Sequence, residues 1–373
     1  MAGVCDPSFA AVREAFEANF AAGLEAGAAC AVVVDGRLVV DLWGGVAAVA
    51  TGRPWAPDTL VDCRSATKGL TALALAIVAD RGQIDLDAPV RRYWPELRAD
   101  PTVRQALSHQ AGIPVLDGLP AGAILDWDVM AAAVAAQEPL WAPGERHGYH
   151  GASFGWLVGE PVRRAAAEPL AAFLGREVFD RLGVEGFMGT PAADHGRVAD
   201  LVWGRPAHGA ARRPPTGPQG AAPTLAQRMY APVLPPLAPA MNAPAFRAAA
   251  IPVTGATVTA RTFATIFGEL ARDGGSLVSA PMARALGGIE VDGEDAVLGV
   301  PIARTPGYEL TPSWADDGRP GHCWGSPGGG GVVTFADPVA RVGFAYLDNA
   351  SWAGPPGADP RAAGIIRALY GCL

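Results

Sequence analysis

Lysine is almost absent from this chain. Of its 29 lysine and arginine residues, only Lys68 is a lysine. Arginine supplies positive charge everywhere else, so the surviving lysine points to a task that a guanidinium cannot perform, namely giving up its proton. Positive charge is also in deficit: the net charge of -8 argues against nucleic acid and against anionic membrane surfaces as partners. No apolar run is long enough to cross a bilayer. Cys5, Cys30, Cys63, Cys323 and Cys372 are odd in number, scattered, and form no C-x-x-C. That pattern argues against a disulfide framework and a cysteine zinc site, and it fits a reducing cytoplasm. The histidines show no H-E-x-x-H or similar spacing, so neither metal nor cofactor is expected. Met1-Ala-Gly-Val-Cys-Asp6 carries neither a basic n-region nor an apolar h-region, so no secretory signal is expected either.

What is present is a large apolar content. Half of the 373 residues are apolar and 18% are charged, enough for one large or two interleaved units around a sizeable core. Phe9, Val12, Phe16, Phe20 and Leu24 recur at helical spacing over residues 8–24. Ala31–Val34 and Leu38–Leu42 flank Asp35-Gly36, a hairpin signal. Gly331–Phe335 and Val342–Leu347 read as two further strands joined through Asp337-Pro338, followed by a helix over 360–370. The middle reads as helices at Leu70–Asp80, Met130–Gln137, Phe154–Ala166, Leu170–Leu182, Arg261–Arg272 and Pro281–Leu286. Residues 205–240, rich in proline, glycine and alanine, read as a long surface loop. The expected fold is α/β plus α: an antiparallel sheet built from N- and C-terminal strands and flanked by helices, with an inserted, mostly helical subdomain. A single domain over 1–373 is expected, with a sheet subdomain about 1–68 and 255–373 and a helical subdomain about 69–254. The cleft between them is the expected ligand site.

Ser65-Ala-Thr-Lys68 leads into the apolar run Leu70–Ile77. On a helix, residues i and i+3 share a face, so Lys68 can reach the Ser65 hydroxyl. Burial favours the neutral amine, which can accept the Ser65 proton as the oxygen attacks a carbonyl. Tyr149, in Trp141-Ala-Pro-Gly-Glu-Arg-His-Gly-Tyr149-His150-Gly151, is a second candidate that could pass protons to a leaving group. His150 beside it could orient it or touch substrate. In Trp324-Gly-Ser-Pro-Gly-Gly-Gly-Gly331, glycines before a strand let backbone approach a ligand, and the Gly329 N–H can pair with that of Ser65 as an oxyanion hole. No Gly-Lys-Ser/Thr follows, which argues against a phosphate loop. Gly151-Ala-Ser153-Phe-Gly155 matches the G-x-S-x-G elbow, but a polar loop precedes it where that elbow needs a buried strand. Trp203, Trp314 and Trp324 are candidates for lining an acyl pocket.

Together these residues resemble the serine β-lactamase-related family, in particular its class C-like esterase (family VIII carboxylesterase) branch. Ser65-Ala-Thr-Lys68 resembles that family's nucleophile motif. Leu107-Ser-His-Gln-Ala-Gly-Ile-Pro114, Trp141-Ala-Pro-Gly144 through Tyr149-His150, Gly155–Glu160, and Gly328–Gly331 with Phe335-Ala-Asp-Pro338 are similar to its further motifs. The resemblance implies Ser65 as the acylated nucleophile, with Lys68 and Tyr149 as general bases. His150, Trp324, Ser326 and Gly328 are the substrate-binding candidates. Two positions depart from the pattern. Gly151 stands where classical members carry asparagine, and Ser326-Pro327-Gly328 stands where they carry Lys-Thr-Gly or His-x-Gly. With no second lysine, the usual anchor for a penicillin carboxylate is missing. The expected substrate is a small-molecule ester or amide; an acyltransferase that uses an amine or alcohol acceptor is the alternative.

Overall fold

The computed structural model describes residues 1–202, 223–229, 240–310, 317–352 and 359–373. Among them an antiparallel sheet runs in the order Ala2–Cys5, Arg37–Ala48, Gly27–Val34, Val342–Asp348, Val333–Asp337, Trp324–Gly325, Tyr308–Leu310 and Arg304–Thr305, with Arg53–Pro54 paired to Arg37–Ala48. The two ends of the chain meet at its centre, where Val342–Asp348 pairs with Gly27–Val34 from Val342↔Val34 to Asp348↔Ala28. A small second sheet joins Val61–Asp62, Ala256–Val258 and Gly186–Met188.

Both faces of the central strands are covered, and the side chains alternate between them. Ala28, Cys30, Val32, Phe344 and Tyr346 meet Phe9, Val12, Phe16, Ile365, Ile366 and Leu369. These belong to the N-terminal helical segment and to the C-terminal helix Pro360–Tyr370. Ala29, Ala31, Val33, Ala345 and Leu347 face the other way, into the larger core shared with the helix Ala260–Ala271. Gly343 lets that helix approach closely, since a Cβ there would lie 2.2 Å from the Ala264 carbonyl oxygen. Asp35 and Gly36 both adopt positive φ, 48° and 80°, and close the two-residue hairpin that their sequence demands. The flanking strands, Gly27–Val34 and Arg37–Ala48, outrun the expected 31–34 and 38–42. Gly27-Ala-Ala-Cys30 has little strand propensity of its own, and burial between two helical layers overrides it.

Helices fill the middle of the chain. Thr67–Asp80 is buried from Thr67 to Val78, which suits a segment apolar on every side. It packs against Phe154–Ala166, where Trp156, Leu157 and Val158 are fully buried. The helix expected over Leu170–Leu182 is present: it opens as an α-helix, Leu170–Leu174, widens into a π-helical stretch, Gly175–Asp180, and ends at residue 182. Most of 205–240 lies outside the described residues. Its described part contains a helical turn, Leu225–Arg228, started by a reciprocal Thr224–Gln227 cap. Among the described residues no helix is long and apolar enough to cross a membrane.

Phe344 is fully buried and stacks on Phe335 with ring centroids 4.9 Å apart. Phe344→Ala is expected to cost about 3–5 kcal/mol of stability, read as a fall in the urea midpoint at unchanged m-value. A loss below about 1 kcal/mol would show that the central sheet does not depend on this pair.

Candidate active site

Ser65 sits in a single 3₁₀ turn, Arg64–Ala66, that runs straight into the helix Thr67–Asp80. The turn follows an abrupt change of direction. Arg64 has φ +51°, a left-handed conformation that costs about 1–2 kcal/mol for a residue with a side chain. Its amide donates to Asp62 Oδ1 at 2.7 Å. Ser65 is thereby half-buried at the start of a helix that is sealed in the core as far as Val78.

Lys68, one turn on, places Nζ 3.4 Å from Ser65 Oγ and 3.3 Å from the Val253 carbonyl oxygen. Its side chain is buried, and loss of solvation pushes the amine down to about 7. Glu309 opposes that shift and Arg304 adds to it. Glu309 is itself ion-paired to Arg304, whose other face binds Asp295 at 2.6 Å. The carboxylate acting on Lys68 is therefore already matched by a guanidinium.

Tyr149 is half-buried, and its ring centroid is 5.0 Å from Lys68 Nζ. Ser65, Lys68 and Tyr149 thus form one cluster. The Tyr149 amide donates to Asp295 Oδ1 at 3.0 Å, and the Arg304 guanidinium lies 5.5 Å from the ring centroid. Asp295 also accepts from the amides of Val297 and Leu298. Asp295 and Arg304 therefore hold the tyrosine turn from a segment 146 residues away. No local pattern announces either residue. Met229 approaches the same turn, with Sδ accepting from the Gly151 amide at 3.1 Å. Part of the 205–240 segment is in this way brought to Tyr149, within a cluster of Trp141, Met229 and Val297.

The glycine run lies beside the Ser65 turn. A Cβ on Gly328 would meet the Cys63 carbonyl oxygen at 2.6 Å, and one on Gly69 would meet Ser326 Cβ at 2.8 Å. Ser326 donates its amide to Thr334 O, and Gly328 donates its amide to Val332 O. Pro327 has no N–H. Gly329 opens the turn 329–331 that follows, is exposed, and borders open space.

The four residues expected to contact substrate are all buried and have partners within the protein. His150 is fully buried: Nε2 accepts from the Ile113 amide at 3.0 Å and Nδ1 bonds the Gly148 carbonyl at 2.6 Å. Burial lowers its pKa to about 4, so it is a neutral structural ring. Trp324 is also buried, with its ring 4.8 Å from Tyr308 and 6.4 Å from Phe267. The Ser326 hydroxyl donates to Ala66 O at 3.3 Å, and the Gly328 amide is spent on its neighbouring strand. Trp203 and Trp314 lie outside the described residues. Ser153, of the G-x-S-x-G match, is fully buried and donates to Ile113 O at 2.6 Å. His109 stacks on Phe154 and accepts from the His150 amide, 41 residues along the chain.

One group of metal-ligating type is gathered among the described residues: His322, Cys323 and Asp337. Its atoms are committed to one another. His322 Nε2 bonds Asp337 Oδ1 at 2.9 Å, while the Tyr370 hydroxyl donates to Asp337 Oδ2 at 2.7 Å and lies 3.2 Å from Cys323 Sγ. The cluster ties the C-terminal helix to the sheet.

The Beta-lactamase family model matches residues 16–368. The chain is 34% identical over 375 residues to Esterase/beta-lactamase LipL of Mycobacterium tuberculosis, spanning 93% of this chain and 82% of the relative. A family VIII carboxylesterase structure superposes with a TM-score of 0.88 at 34% identity, covering 100% of this chain and 99% of that one. A penicillin-binding protein homologue from Caulobacter crescentus gives 0.87 at 35% identity, again covering 100% and 99%. With the whole fold and the serine–lysine turn in place, the chain belongs to the Beta-lactamase family and is a serine hydrolase of that fold.

Proposed function

We propose that this protein cleaves small-molecule esters through an acyl-enzyme on Ser65, with Lys68 as the base and Tyr149 as the proton carrier. The observation that supports the reading most is the 3.4 Å approach of a buried amine, held down to about 7, to the Ser65 hydroxyl. At neutral pH a large fraction of such an amine is free to accept a proton. Ser65 Oγ loses its proton to Lys68 Nζ as it bonds the ester carbonyl carbon. The carbonyl oxygen takes the negative charge and is received by the amides of Ser65 and Gly329. Collapse breaks the bond to the leaving alcohol, which takes a proton passed on through Tyr149 from Lys68. Water then releases the acid by the reverse sequence, and the Ser65 hydroxyl is restored. Oxyanion donors of this kind are worth roughly 10²–10³ in rate each.

Esters are preferred over β-lactams because the chain holds no lysine besides Lys68, and Ser326, where the family's second lysine stands, has its hydroxyl turned to Ala66. An alcohol or amine that reached the acyl-enzyme in place of water would turn the same chemistry into acyl transfer. Product analysis with both acceptors present separates the two outcomes.

The expected result of treating the protein with a fluorophosphonate is one adduct, on Ser65. Lys68→Arg keeps positive charge but cannot deprotonate, so it is expected to lose acylation as completely as Lys68→Ala, by at least about 10³-fold. In the wild type, kcat/KM rises with pH through about 7 as Lys68 gives up its proton. Adduct formation on Ser153, or near-normal activity of the arginine variant, contradicts the reading.

A further inference from the structure

Both amides proposed to receive the oxyanion are tied to one buried chain of charges that lies outside the reacting cluster. Arg64, the residue before Ser65, sends Nη2 to the Asp348 carbonyl oxygen at 2.9 Å and to Asp348 Oδ2 at 3.1 Å. Asp348 ends the central C-terminal strand and is fully buried. Its Oδ1 lies 3.7 Å from Arg361 Nη1. Arg361, also fully buried, donates Nη2 to the Gly330 carbonyl oxygen at 3.1 Å and to Asp359 Oδ2 at 2.6 Å. Its Nη1 donates to Ala350 O at 2.8 Å and pairs with Glu25 at 3.3 Å.

The glycine run is shaped to this chain. A Cβ on Gly330 would meet Ser351 Oγ at 2.1 Å and Arg64 Nη1 at 2.8 Å, and one on Gly331 would meet Arg361 Nη2 at 2.3 Å and Asp348 Oδ2 at 2.6 Å. Gly330 and Gly331 also take positive φ, 87° and 128°. Gly328 abuts the Cys63 carbonyl, so only Gly329 of the four faces open space. Charge along the chain balances near neutrality. Arg64 and Arg361 face Asp348 and Asp359, while burial pushes Glu25 up to about 8 and leaves it largely neutral.

We infer that Arg64, Asp348 and Arg361 are positioning residues, which fix the Ser65 amide and the Gly329 amide relative to each other so that both reach one oxyanion. Arg64 precedes the first directly in the chain, and Arg361 governs the second through the carbonyl of the next residue, Gly330. Asp348 joins the two guanidinium groups. Such a buried network contributes little net stability, because desolvation offsets its attraction. Its value lies in geometry, where a displacement of about 1 Å is enough to cost 10²-fold in rate.

The inference rests on the Ser65 acyl-enzyme reading, and the test keeps the two apart. Wild-type labelling on Ser65 by a fluorophosphonate judges that reading alone. Arg64→Met, Arg64→Lys and Asp348→Asn are then compared with wild type by the burst of nitrophenol from a p-nitrophenyl ester, and by affinity for a boronic acid that adds to serine as a tetrahedral anion. All runs use temperatures at which circular dichroism shows the variant folded. The expected result is a 10–100-fold slower maximal acylation rate in Arg64→Met, a matching loss of boronate affinity, KM within about twofold, and an unshifted acid limb of kcat/KM. Arg64→Lys, the milder change, is expected to recover part of the rate, and it serves as the folded variant if the methionine form does not fold. Wild-type acylation in any folded variant, or a raised KM with boronate affinity intact, overturns the inference.

Discussion

An ammonium group removed from water loses several kcal/mol of solvation unless a carboxylate compensates it. Lys68 is buried at the start of a core helix, within reach of a hydroxyl and a carbonyl. The carboxylate that acts on it, Glu309, is held by Arg304. That imbalance holds the amine down to about 7, as the proposed proton acceptor requires, and the surrounding residues pack around it. A helix apolar on all sides provides the burial. The start of that helix puts Ser65 one turn away, on the same face. Asp295 and Arg304 bring Tyr149 over the amine by gripping its backbone and its ring face.

The sheet contributes the other half of the site. Pairing of Val342–Asp348 with Gly27–Val34 joins the chain ends and delivers Asp348 to Arg64, next to Ser65. The following helix, Pro360–Tyr370, delivers Arg361 to the glycine loop. A fold closed by its own termini therefore makes the geometry at Ser65 depend on segments nearly 300 residues away.

Much of this was legible in the sequence where the signal is local. Asp35-Gly36 specified its hairpin because both residues readily take the positive φ that a type I′ two-residue loop requires. The Ser65–Lys68 spacing translated into proximity because three residues make most of a helical turn. The rarity of lysine separated Lys68 from a plain charge. Aromatic residues within motifs misled the reading. His150 and Trp324 sit in characteristic segments, yet both are core side chains, and nothing in a linear pattern distinguishes a ring that faces substrate from one that faces backbone. The strands Arg304–Thr305 and Tyr308–Leu310 are too short to show alternation. Arg304 and Asp295 matter through contacts that only the fold creates.

The central claim is the protonation state of one amine, and the sequence makes it directly measurable. Lysine-selective ¹³C labelling of this chain yields a single side-chain Cε signal, because Lys68 has no companions. Its chemical shift followed by NMR against pH is expected to titrate with a midpoint of about 7. A midpoint near the ordinary lysine value of about 10.4 would show that Lys68 stays charged under working conditions, and would contradict the account.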